Sequence, residues 1–158
     1  VDKTNFDRLD NKIISLLTEK GRMPIGEMSK RLKVTAPTIR NRIKNLEENG
    51  IFKVSGLIDP SKHREMITAL VAMSIQSHGK LDKILDKIAQ LPNVVWAGVV
   101  TGRHDIIAEV ICKEGKGELY RFTTETILKI GNVIRSETFI ILKSRHNWLC
   151  LPEGVKEI

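Results

Sequence analysis

Seven basic residues, Arg22, Lys30, Arg31, Lys33, Arg40, Arg42 and Lys44, lie between Gly21 and Lys44, against one acid, Glu27. The whole chain of 158 residues carries a formal charge of +7, so most of its excess charge falls in this short segment. A run this poor in acids suits contact with a polyanion. Its last part, "APTIRNRIKNLEE", has helical periodicity. At about 100° per residue, Ile39, Ile43 and Leu46 make one apolar stripe. Pro37, Thr38, Asn41 and Lys44 point the other way, with Arg40 and Arg42 on the shoulders. Asn can bond an adenine edge with both amide groups, Thr can touch a thymine methyl, and Arg can take guanine or phosphate. A helix N-terminus also favours phosphate. Glu47 and Glu48 come only at the far end, where they can leave a groove. The candidate nucleic-acid contacts are therefore Arg22, Lys30, Arg31, Thr35, Pro37, Thr38, Arg40, Asn41, Arg42 and Lys44, with Arg22, Lys30 and Arg31 on phosphates. The expected partner is double-stranded DNA.

Other chemistries find little support. His63, His78, His104 and His146 are far apart, and no pair has metal-ligand spacing. There is no GxSxG, P-loop or CxxC motif. Neither an enzyme nor a metal or cofactor is expected. Cys112 and Cys150 do not make a disulfide framework, which points to a reducing cytoplasm. Cys112 lies inside a strand pattern and is expected to be packed. No apolar run reaches the roughly 18 residues of a membrane span, and "VDKTNFDRLD" has no secretory h-region.

The elements that must position the basic helix can be read around it. "FDRLDNKIISLLTEKGR" places Leu9, Ile13, Leu16 and Leu17 at helical spacing. "PIGEMSKRL" repeats the pattern with Ile25, Met28 and Leu32. "KVT" is a short turn, Thr35 an N-cap, and Gly50 a stop after the third helix. "IFKVSGLIDP" reads as a short strand and a turn. This is a helix-turn-helix, whose first helix braces on the DNA backbone while its second enters the major groove. After Pro60 the order is strand, helix, two strands, helix, strand, a βαββαβ ferredoxin-like pattern. A weak repeat, "LPNVVW" against "IGNVIR", supports two βαβ halves. The expected divisions are a DNA-binding domain over 1–55, a linker over 56–66, a second domain over 67–147 and a tail over 148–158. The fold class is α+β.

Gly102 lies between two strands, where a hairpin needs a residue tolerant of positive φ, and Asp105 can bond the turn. With the stretches "LDNKIISLLTEKGR", "EMSKRLKVTAPTIRNRIKNLEENGI" and "VVTGRHDIIAEV", the chain resembles the Lrp/AsnC (feast/famine) transcription regulators. The resemblance runs from Phe6 to about Asn147. It implies an N-terminal winged helix-turn-helix joined to a ferredoxin-like effector and assembly domain. It also implies an amino acid or related metabolite as effector, and homodimers that build tetramers or octamers. Thr101, Gly102 and Asp105 match the family's effector turn, which Arg103 and His104 complete. His104 stands where an aromatic residue is common and brings possible pH sensitivity. Ser136 and Thr138 resemble positions that hydrogen-bond the effector. Certain siroheme-type haem-pathway decarboxylases share this architecture and form the enzymatic alternative. The basic helix favours DNA.

Overall fold

The computed structural model describes residues 6–155. The chain divides into two compact units between Gly56 and Leu57.

The first unit has three helices: α1 (Arg8–Glu19), α2 (Ile25–Leu32) and α3 (Ala36–Glu48). Ile13, Leu17, Met23, Met28 and Ile39 form its buried centre, with Leu9, Leu16, Ile25, Leu32, Val34, Ile43 and Phe52 packed around it. Each helix boundary has a local cause. Asp7 caps α1, accepting from the Leu9 and Asp10 amides, and Asp10 returns the bond in a capping box. The turn between α2 and α3 is three residues, Lys33–Thr35. Lys33 takes the left-handed conformation with φ 55°, and Ser29 both accepts from the Val34 amide and donates its hydroxyl to the Val34 carbonyl. Thr35 then caps α3 by accepting from the Thr38 amide. At the other end Ile51 N–H bonds Leu46 O at 2.9 Å and Gly50 N–H bonds Glu47 O at 3.0 Å. With Gly50 at φ 64° this is a Schellman stop.

The strand expected over 51–58 does not form. Among the described residues of the first unit there is no strand, and of the expected stretch only Ile58, already in the second unit, pairs, in an isolated bridge with Leu149. Apolar character alone makes no strand without a neighbouring ladder to satisfy its backbone.

The second unit follows the βαββαβ order. Its elements are β1 (Ile67–Ile75), α4 (Leu81–Ala89), β2 (Val94–Val99), β3 (Ile106–Cys112), α5 (Lys116–Arg121), α6 (Ile127–Lys129) and β4 (Val133–Ile140). The strands form one antiparallel sheet in the order β2-β3-β1-β4. A π-helical turn over Phe122–Thr126 joins α5 to α6. There the Thr123 and Thr124 hydroxyls bond the Leu119 and Tyr120 carbonyls, competing for acceptors that regular helix would use. Ala69, Val71, Met73 and Ile75 of β1 and Ile106, Ala108, Val110 and Cys112 of β3 share one core with Ile84, Ile88, Leu119, Phe122 and Ile127 from the helices. Burial pushes the Cys112 thiol up to about 12, as expected for a packed cysteine.

The sheet's second face is partly covered. The tail reaches one end of it, where Val155 is buried with Met66 and Ile111. Gly154 N–H bonds the Pro92 carbonyl at 3.0 Å, and a Cβ at Gly154 would sit 2.8 Å from that oxygen, so only glycine fits there. Elsewhere on this face Trp96 and Phe139 stand 46% and 53% exposed, beside the half-buried Leu70 and Ile107.

Candidate nucleic-acid interface and effector turn

On α3, Ile39 and Leu46 are buried. Pro37, Arg40, Asn41 and Lys44 are exposed, while Thr38 and Arg42 are half-buried. The helix therefore presents Pro37, Asn41 and Lys44, which its periodicity placed outward, while Thr38 of the same set is only partly exposed. Thr35 and Thr38 share a hydroxyl contact of 2.8 Å within the cap. Arg42 has a second task. Its guanidinium meets Asp7 and lies 3.3 Å from Asp10, tying α3 to the start of α1. Arg31 pairs with Glu27 at 2.8 Å, and Lys44 approaches Glu48 at 3.6 Å. Both pairs are exposed i,i+4 contacts that a phosphate can displace at little cost. Arg22, Lys30, Arg31 and Arg40 are all exposed.

The turn between β2 and β3 spans residues 100–105. Gly102 has φ 124°, the positive value expected of it, with open space around its Cα. Thr101 and Arg103 are exposed. Asp105 is bound into the sheet: its amide donates to Met73 O at 2.9 Å, its carbonyl accepts from Val100 at 2.9 Å, and its carboxylate accepts from the Ile75 amide at 2.7 Å. His104 lies 2.8 Å from the Glu137 carboxylate and 3.4 Å from the Ser74 hydroxyl.

Ser136 and Thr138 pair with Met73 and Val71, so they share the helix-side face. Glu137 pairs with Ala72 and lies on the opposite face, as does His104 through its bond to Glu137. The structure thus brings His104 to Glu137 and separates both from Ser136 and Thr138. The sequence reading missed Glu137. Its signal was a lone acid between serine and threonine in a strand whose one other charge is Arg135. It also missed Trp96 and Glu109, joined by a 2.8 Å indole–carboxylate bond, Glu109 being only 8% exposed.

A helix-turn-helix unit with a basic recognition helix, followed by a ferredoxin-like unit, defines a two-domain DNA-binding regulator. Comparison gives the family. Residues 6–53 match the winged helix-turn-helix DNA-binding family, and residues 68–147 match the Lrp/AsnC ligand binding domain. The chain belongs to the Lrp/AsnC family of transcriptional regulators. It is 36% identical over 140 residues to an uncharacterized HTH-type transcriptional regulator of Pyrococcus horikoshii, covering 88% of this chain and 87% of that one. With HTH-type transcriptional regulator FL11 of the same organism it shares 30% identity over 148 residues, 93% of this chain and 96% of FL11. Among solved structures, E. coli AsnC superposes with a TM-score of 0.69 at 23% identity, covering 89% of this chain and 95% of that one. The Neisseria meningitidis regulator NMB0573, solved as its L-Met complex, gives a TM-score of 0.70 at 23% identity, with coverage of 89% and 92%. No helix among the described residues is long and apolar enough to cross a membrane.

Proposed function

We propose that this regulator reads duplex DNA sequence through α3, and that an amino acid or related metabolite modulates its assembly or its DNA affinity. The observation that carries the reading is the exposed side of α3, where Pro37, Arg40, Asn41 and Lys44 stand out with no acid before Glu47. Asn41 and Arg40 are the base readers, joined by the Thr38 methyl. Arg22, Lys30, Arg31 and Lys44 hold phosphates, as does the N-terminus of α3 with its Thr35 cap. Arg42 flanks the groove while bracing α3 on α1.

The effector is assigned to the 101–105 turn; Ser136 and Thr138, on the helix-side face, could reach it only from the side away from His104. The L-Met complex of the Neisseria regulator supports an amino acid as the class of ligand. Self-association through the sheet face bearing Leu70, Trp96, Ile107 and Phe139 completes the reading, because α4, α5 and α6 pack on the other face. A homodimer is the minimum unit, able to build tetramers or octamers. Selection of bound duplexes from a random pool tests the DNA reading. A recurring half-site is the expected result, and a pool that stays random after repeated rounds would defeat it. A thermal-shift screen of the standard amino acids tests the effector. Ligand at 100 times its Kd adds about 2.7 kcal/mol of stability.

A further inference from the structure

At the β2–β3 turn, two consecutive side chains hold the sheet where its regular pairing breaks. The register between β1 and β4 shifts between Ser74 and Ile75. Asp105 takes the Ile75 amide there, at 2.7 Å. His104 crosses over Ser74 of β1 to reach Glu137 of β4 at 2.8 Å. It therefore links the turn to an edge strand two positions away in the sheet. The His104 side chain is 11% exposed and that of Glu137 32%. Both belong to the face bearing Leu70, Trp96 and Phe139.

We infer that the His104–Glu137 pair is a proton-controlled clasp on this face, so that a second copy of this chain packs there more tightly when His104 is protonated than when it is neutral. The inference rests on the self-association reading above. Its physics is the cost of covering a carboxylate. Packing a second copy on the face removes water from Glu137, and a carboxylate buried without a cation is expensive. A protonated imidazole at hydrogen-bond distance supplies that cation, whereas a neutral one supplies only a hydrogen bond.

The other groups around the pair do not replace it. Arg135 of β4 lies 3.3 Å from the second Glu137 oxygen, but its side chain is 64% exposed and well hydrated. Arg103, in the same turn, acts on Glu137 only through space. Asp105 spends a carboxylate oxygen on the Ile75 amide, and β1 offers Ser74, which does not titrate in this range. The hydrogen bond from His104 is the first cause holding the Glu137 carboxyl below its ordinary value, followed by the charges of Arg135, His104 and Arg103. Protonation of an imidazole adds the cation that a covered carboxylate needs, so association should strengthen as pH falls.

Sedimentation equilibrium of the full chain without DNA or amino acid, at about pH 6 and about pH 8, tests the clasp. Wild type should dissociate more readily at the higher pH, by a factor on the order of ten. His104→Gln should show one weak dissociation constant at both values, because Glu137 then lacks the imidazolium that a proton would supply. Glu137→Gln should reverse the trend and weaken on acidification, because the imidazolium then lacks its carboxylate. Equal wild-type constants at the two pH values, or a retained wild-type trend in either variant, would overturn the clasp. A monomer throughout would overturn the self-association reading, and the clasp with it.

Discussion

Lys44 and Asp105 are both charged, yet one is expected to act on DNA and the other on effector response. Lys44 is exposed on α3 and lightly held by Glu48 at 3.6 Å. As a phosphate contact it carries no base information, so Lys44→Ala should weaken selected and scrambled duplexes alike. The slope of log affinity against log salt should fall by about 1. Loss confined to the selected duplex would instead make Lys44 a base reader. Asp105 joins two tasks that substitution can separate. Its carboxylate accepts from the Ile75 amide, and its charge suits the ammonium of an amino acid. Asp105→Asn keeps a carbonyl acceptor for the amide and removes the charge. That variant should melt near wild type and bind operator normally, while its affinity for the best amino acid falls by a few kcal/mol, about 2–5 for a broken buried charge pair. An unchanged ligand response in Asp105→Asn, measured by operator titration with and without that amino acid, would leave the turn a purely structural device.

Among the elements, α1 and α3 are joined by charge as well as by packing. Asp7 caps α1 and meets Arg42 of α3. Its carboxyl is held below the ordinary value of 3.8, first by the Asp10 amide and also by the Leu9 amide and Arg42. A carboxyl lowered in the folded state adds stability that is complete above its unfolded pKa and disappears as pH falls through the folded one. The thermal midpoint should therefore fall modestly on acidification below about pH 4, with a shallower decline in Asp7→Asn. Parallel acid limbs for the two proteins would remove Asp7 from the balance. Similar local reasoning made much of the first unit legible in sequence. Thr35, Gly50 and the 3.6-residue stripe of α3 each act through nearest neighbours, and the structure places all three as expected. Non-local features were harder to see. Residues 51–57 look like a strand in composition but lack a ladder partner, and only Ile58 finds one, in Leu149. Glu137 meets His104 across 33 residues of sequence, a contact that exists only once β1 lies between them. The π-helical turn was hidden because Thr123 and Thr124 read as ordinary helix residues until their hydroxyls take backbone carbonyls.

For the whole molecule, the proposed function divides the labour between the two units, with DNA read by the first and assembly and ligand response set by the second. A dimer built through the uncovered sheet face would offer two copies of α3 to DNA. Half-sites should then recur about 10 base pairs apart, or at a multiple of that spacing. Selected duplexes bearing only isolated single half-sites would argue against paired reading. The claim on which all of this depends is that α3 distinguishes bases, and Asn41 is its most exposed test. The most direct measurement is a titration of wild type and Asn41→Ala on the selected duplex and on a scrambled one at a single salt concentration. Wild type should prefer the selected duplex by at least about a thousandfold. Asn41→Ala should lose about 1–3 kcal/mol on the selected duplex and almost nothing on the scrambled one, narrowing that ratio. Equal losses on both duplexes would remove Asn41 from base readout, and a wild type without preference for the selected duplex would contradict sequence reading by this helix and leave the basic face as a non-specific phosphate surface.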